Sequence, residues 1–152
     1  MGDFSYPWFM RKGNSIHMNI LVIDGQGGGI GRTLIEKLLE KVPTARITCV
    51  GTNAMATANM LKAGAHEGAT GENAVIVCVK NADVVLGPIG IVIADAMLGE
   101  LTPKIATAVG ACAALKILIP ISRCNTTIAG MPKGTPAQFI EDAIQKVLEI
   151  DD

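Results

Sequence analysis

Asp24-Gly25-Gln26-Gly27-Gly28-Gly29-Ile30-Gly31 follows a short apolar run, Asn19 to Ile23, and opens an amphipathic segment from Arg32 to Val42. Five glycines in seven residues between a strand and a helix require a backbone that turns tightly and lies close to a neighbour. That neighbour is either a ligand or the protein's own sheet.

Upstream of the turn, Asn19 to Asp24 reads as a strand buried on both faces, because its Ile, Leu and Val residues show no polar alternation. Downstream, Ile30, Leu34, Ile35, Leu38, Leu39 and Val42 fall at helical spacing and Pro43 ends the helix. Arg46 to Gly51 is the second strand. Asn53 caps a helix from Ala54 to Ala63, with Gly64 as its left-handed terminus. Ala65 to Gly71 reads as a polar, glycine-punctuated loop. Ala74 to Val79 is apolar and β-branched, but a strand there would run into Asp83 to Leu86 without a turn glycine. The expectation is a buried helix over Glu72 to Ala82, capped by Thr70, and then a strand.

Gly87-Pro88-Ile89-Gly90 ends that strand, and Ile89 to Leu98 is expected to be a helix stopped by Gly99. Thr102-Pro103 starts another helix, running to about Cys112. Leu115 to Ile121 is the next strand. Ser122 to Asn125 is too short for a parallel crossover, which needs about a dozen residues, so Thr126 to Gly130 is expected to return antiparallel. Thr135-Pro136-Ala137-Gln138 is a capping box for a last helix with Phe139, Ile140, Ala143, Ile144, Val147 and Leu148 as its buried stripe. The alternation predicts a three-layer, Rossmann-like α/β fold: an open, mostly parallel sheet of order near 2-1-3-4 with an antiparallel edge strand. Residues 18–152 form its single domain. Residues 1–17 read as an extension holding Phe4, Tyr6, Trp8 and Phe9, either upstream sequence or an arm whose aromatics dock on a neighbouring subunit.

A net charge of −1 gives no basic footprint, which argues against nucleic acid as a partner. Cys49, Cys78, Cys112 and Cys124 are scattered and form no Cys-x-x-Cys pair, and His17 and His66 are also far apart, so no metal site is expected. No apolar run approaches the roughly 20 residues of a membrane span. A reduced, cytoplasmic protein is expected. With 49% hydrophobic residues and helices rich in small side chains, a homodimer is expected as well.

In an open α/β sheet, ligands bind beyond the carboxyl ends of the strands. The candidate ligand-binding residues are therefore Asp24, Gly25, Gln26, Gly27, Gly28, Gly29, Ile30 and Gly31, with Thr52, Asn53, Gly87 and Pro88 at the next two ends. His66, Glu72, Asn73, Cys124 and Asn125 are candidates for a lid or the crevice rim, and the role of Asp95 in its apolar segment stays open. Gly25-x-x-x-Gly29-Ile30-Gly31 resembles the fingerprint of short-chain dehydrogenases, whose exposed N–H groups and helix dipole attract a pyrophosphate. The Tyr-x-x-x-Lys of that family cannot exist here, since Tyr6 is the only tyrosine. The second strand ends in Gly51-Thr52-Asn53, with neither an acid for a ribose diol nor an arginine for a 2′-phosphate. Asp24 before the glycines is similar to the first motif of class I methyltransferases, with the spacing off by one. A carboxylate there weakens a bare phosphate cradle; it either accepts loop N–H bonds or positions a ribose, base or water.

Four blocks together resemble a bacterial family of small Rossmann-like proteins known as a domain of unknown function. They are Ile23 to Gly31, Gly51-Thr52-Asn53-Ala54, Gly68 to Ala74, and Gly87-Pro88-Ile89-Gly90, and the resemblance spans about Met18 to Ile150. It implies the fold and no activity or cofactor. Two functional expectations stand: binding of a nucleotide or other phosphate-bearing metabolite at the glycine turn, or an oligomeric interaction module with an empty crevice.

Overall fold

The computed structural model describes residues 17–121 and 125–151, and its central strand is the one that carries the glycine turn. β1 (Asn19–Asp24) is buried from its second residue to its last. It pairs in parallel with β2 (Arg46–Gly51) on one side and β4 (Val84–Pro88) on the other. β3 (Glu67–Thr70) adds to the outer edge of β2, and β5 (Leu115–Ile119) to that of β4. The five strands are all parallel, in the order β3-β2-β1-β4-β5.

Because successive side chains of a strand point to opposite faces, the core divides in two. Ile20 and Val22 join Ile47, Cys49, Val84 and Leu86 on one face, where α1 (Gly29–Lys41), α2 (Ala54–Lys62) and α5 (Pro136–Asp151) contribute Leu34, Leu38, Met60, Ile144 and Val147. Leu21 and Ile23 join Val50 and Val85 on the other, covered by Val75 of α3 (Glu72–Cys78) and by Ile105 and Val109 of α4 (Pro103–Ala111). Each such side chain, fully buried, contributes roughly 1.5–3 kcal/mol. The result is a three-layer α/β arrangement consistent with a Rossmann-like fold. No helix among the described residues is long and apolar enough to cross a membrane.

Three of the helices, α2, α4 and α5, begin at side-chain caps. Asn53 Oδ1 accepts from Ala56 N at 2.9 Å, and Thr102 Oγ1 from Ile105 N at 3.2 Å with Pro103 at the first helical position. At α5, Thr135 N donates to Gln138 Oε1 while Gln138 N donates to Thr135 Oγ1, which is the expected capping box.

Several expectations need correction. Residues 65–71 are not a loop: four of them form β3, and this fifth strand outside β2 makes the order differ from 2-1-3-4. Gly68 permits it, since a Cβ there would stand 2.7 Å from Cys49 Sγ. Thr126 to Gly130 does not return as an antiparallel strand, and none is found among the described residues. Residues 125–130 are exposed, with Asn125 and Gly130 at φ 48 and 74; Ile128 is their only large apolar residue, too little to hold an edge strand on a core. Ile89 to Leu98 is not a helix but a single 3-10 turn, Ile89–Val92, followed by irregular turns. From Ile89 to Leu101 the buried apolar side chains are Ile91, Ala96 and Leu101, spaced by five rather than by three and four. Finally, α3 starts after Gly71 with no side-chain cap; Thr70 Oγ1 instead shares a 2.7 Å hydrogen bond with Thr57 Oγ1. The aromatic extension, apart from His17, lies outside the described residues, as do Ser122, Arg123 and Cys124.

Candidate functional site

At the carboxyl end of β1, Asp24 is buried and turns its carboxylate into the loop that follows. Oδ1 accepts from Gly25 N and Oδ2 from Gly31 N, both at 2.7 Å. Burial pushes its carboxyl above the ordinary 3.8 and the charge of Glu100 pushes the same way, while the N–H groups of Gly31, Gly25 and Ile30 pull it down. Asp24 thus holds the turn closed from inside, which is the loop-bonding role of the two weighed for it.

The five glycines divide by what surrounds them. A Cβ on Gly25 would stand 2.5 Å from Thr52 Oγ1, and one on Gly31 2.5 Å from Met60 Sδ. Gly28 has φ +70, and its Cβ would stand 2.8 Å from the Ala56 Cα. The protein itself requires these three. Around Gly27 and Gly29 a Cβ would meet nothing within 4 Å. Both are exposed, and their N–H groups reach no acceptor among the described residues.

A second carboxylate closes the turn from the other side. Glu100 Oε1 accepts from Gln26 N at 3.0 Å, Thr52 Oγ1 at 2.8 Å and Asn53 Nδ2 at 2.6 Å. Burial raises its carboxyl, but the hydrogen bonds from Asn53, Gln26 and Thr52 outweigh that and hold it below the ordinary 4.5. Asn53 Nδ2 also donates to Gln26 O at 2.9 Å, and Asn59 Nδ2 to Gly27 O at 2.7 Å. The end of β2 and the start of α2 are thereby pinned to the glycine turn. Glu100 is delivered by a strap, residues 94–101, in which Asp95, Met97 and Leu98 have φ between 55 and 64 although none is glycine. Such conformations cost of order 1–3 kcal/mol each and concentrate at ligand clamps and switches.

Between the turn and the strap lies a cavity of about 570 Å³, lined by Asp24, residues 25–30, Pro88, Gly90, Met97, Leu98 and Ile121. Its volume suits a small-molecule ligand. One side offers the Gly27 and Gly29 N–H groups at the amino end of a 13-residue helix; the opposite side is apolar, with Leu98 99% exposed. Gly87 precedes Pro88 of the wall without being part of it, and a Cβ there would run into Ile23 O.

Of the residues expected at a lid or rim, His66 lies elsewhere. Its Nδ1 accepts from Ile47 N at 3.0 Å, near the amino end of β2 and so at the opposite end of the sheet from the turn. Glu72 accepts from Thr102 Oγ1 at 2.6 Å, which ties α3 to the cap of α4. Asn73 and Asn125 are exposed and absent from the cavity wall; Cys124 is outside the described residues. Asp95 is exposed and helps to fold the strap, its N donating to Leu101 O at 2.7 Å. Burial pushes the Cys49 thiol up to about 11, which makes it an inert core residue. No group of three or more His, Cys, Asp or Glu among the described residues is placed to hold a metal ion.

Sequence reasoning missed Glu100, Met97 and Leu98. The available signal was positional: the connection after the third expected strand leaves the carboxyl end of the sheet, so any acid on it is a site candidate.

A family model described as "Domain of unknown function (DUF3842)" matches residues 19–152. No curated protein matches the chain. The matched span starts at the first residue of β1 and includes the turn, the strap and every other residue of the site. The chain belongs to this family.

Proposed function

We propose that this member of the family binds a nucleotide or another phosphate-bearing small metabolite in the cavity above the glycine turn. The observation that carries the proposal is the pair Gly27 and Gly29, exposed glycines that the protein's own packing does not need and whose N–H groups are open. Helix N-termini attract anions through such donors and the aligned peptide dipoles. A phosphate oxygen would accept from these two amides. The remaining loop N–H groups are engaged by Asp24, Glu100 and Gly25 O, so the polar contact is small. The body of the ligand would rest on Ile30, Pro88, Met97, Leu98 and Ile121, which suits a base better than a second charged group.

Native mass spectrometry of untagged protein, with a thermal-shift panel of NAD, NADP, ATP, GTP and S-adenosylmethionine, tests this reading. A ligand at 100 times its Kd stabilises by about 2.7 kcal/mol, or roughly 5 to 10 °C for a domain of this size. Gly27→Val should abolish that shift and leave the unliganded melting temperature nearly unchanged, because its side chain enters open space. No shift, no co-purified ligand and a stable oligomer would instead favour an interaction module.

A further inference from the structure

β2 ends in Gly51-Thr52-Asn53 without a carboxylate, yet a carboxylate stands at that place. Glu100 arrives from the strap, 47 positions beyond Asn53 in sequence, and three donors converge on one of its oxygens. Oε1 takes Gln26 N, Thr52 Oγ1 and Asn53 Nδ2; Oε2 has no partner among the described residues. The group is half-buried, adjoins Gly25 and Gln26 of the cavity wall, and is held ionised by its donors. We infer that Glu100 sets the ligand preference of the site: Oε2 accepts the hydroxyls of an unmodified ribose diol, and its charge turns a phosphate away from the same position. This inference rests on the nucleotide reading above and names the part of the nucleotide that meets the end of β2.

Charge and hydrogen bonding at this position favour a diol over a phosphate. A hydrogen bond from a hydroxyl to an ionised carboxylate is short and about twice as strong as a neutral one, and an acid near the end of the second strand is the general means by which such sheets hold a ribose diol. The three converging donors would serve a phosphate oxygen equally well, but they are already taken. A phosphate must therefore displace Glu100 or lie beside it at like charge. The strap makes the carboxylate hard to displace: Leu101 is fully buried, and Leu101 N donates to Ala96 O.

NAD and NADP, which differ only by a phosphate on the ribose 2′-oxygen, are the probes, titrated calorimetrically into the full chain. Wild type should bind NAD at least tenfold more tightly. Glu100→Gln keeps an oxygen for the three donors and removes the charge; the preference should shrink to threefold or less, mainly through tighter NADP binding. Glu72→Gln, a carboxylate bonded to Thr102, should leave the ratio as it is. A role confined to holding the turn in place would weaken both nucleotides together and leave their ratio unmoved, and that result would overturn the inference while the nucleotide reading stands. Equal wild-type affinities would overturn it too, whether or not the variant folds. Binding of neither nucleotide by wild type or variant would overturn the inference, and the broader reading would then stand or fall on ATP, GTP and S-adenosylmethionine in the thermal-shift panel.

Discussion

On its inner side the glycine turn is pressed against α2 and the ends of β1 and β2, where added Cβ atoms at Gly25, Gly28 and Gly31 would stand 2.5 to 2.8 Å from their neighbours. On its outer side, two residues away, Gly27 and Gly29 have no neighbour within 4 Å. The same residue type serves two purposes within one loop. Inside, glycine lets the chain close on itself, and two carboxylates complete the closure. Outside, it leaves a patch of bare backbone facing a cavity. A glycine-rich turn is thus not of itself a ligand signal; the glycines that the fold does not use are the informative ones.

The largest effect should come from breaking the inner side. Gly28→Val places a β-branched residue at φ +70 with its Cβ against the backbone of Ala56. Left-handed strain costs roughly 1–2 kcal/mol and overpacking typically 1–3 more, so denaturant unfolding should show a loss of about 2–5 kcal/mol. A variant as stable as wild type would mean that the turn and α2 can separate, and the inner side would no longer differ from the outer.

Much of this contrast could not be read from the sequence. Ile-Leu-Val runs located β1, β2, β4 and β5, because strands buried on both faces carry little else. Asn53, Thr102 and the Thr135–Gln138 pair marked helix starts through local hydrogen bonds that any chain with those residues can form. β3 was missed because Glu67-Gly68-Ala69-Thr70 is held by backbone pairing to β2, which leaves no apolar signature. The strap was missed for a related reason. Its core contacts, Ile91, Ala96 and Leu101, follow tertiary space and no local period, so the Ile-Val-Ile-Ala run imitated a helix. Glu100 then could not be assigned, since its partners Gln26, Thr52 and Asn53 lie 47 to 74 positions away.

The two carboxylates that close the turn should separate by pH. For Asp24, whose folded value is raised, the native state binds the proton more tightly than the unfolded chain. Its contribution is full below 3.8 and declines as pH rises through the folded value. For Glu100, whose folded value is lowered, the contribution is full above 4.5 and is lost as pH falls through the folded value. Unfolding free energies measured from pH 3 to 7 should therefore show the advantage of wild type over Asp24→Asn shrinking with rising pH, and its advantage over Glu100→Gln growing. Parallel profiles for the two variants would contradict the division of burial and hydrogen bonding between them.

The smallest effect on stability should accompany a large one on binding. Gly29→Ala adds a methyl group where nothing stands within 4 Å, at the first residue of α1, and alanine is favoured over glycine in a helix by up to about 1 kcal/mol. The variant should unfold at the same denaturant concentration as wild type or slightly higher. If a ligand's phosphate lies on the Gly27 and Gly29 amides, the same methyl group occupies its approach, and the thermal shift given by any nucleotide that binds wild type should fall at least tenfold in apparent affinity. Retained affinity in a fully stable Gly29→Ala would place the ligand elsewhere in the cavity, against the apolar wall of Met97 and Leu98, and would leave the bare outer glycines without a purpose in binding.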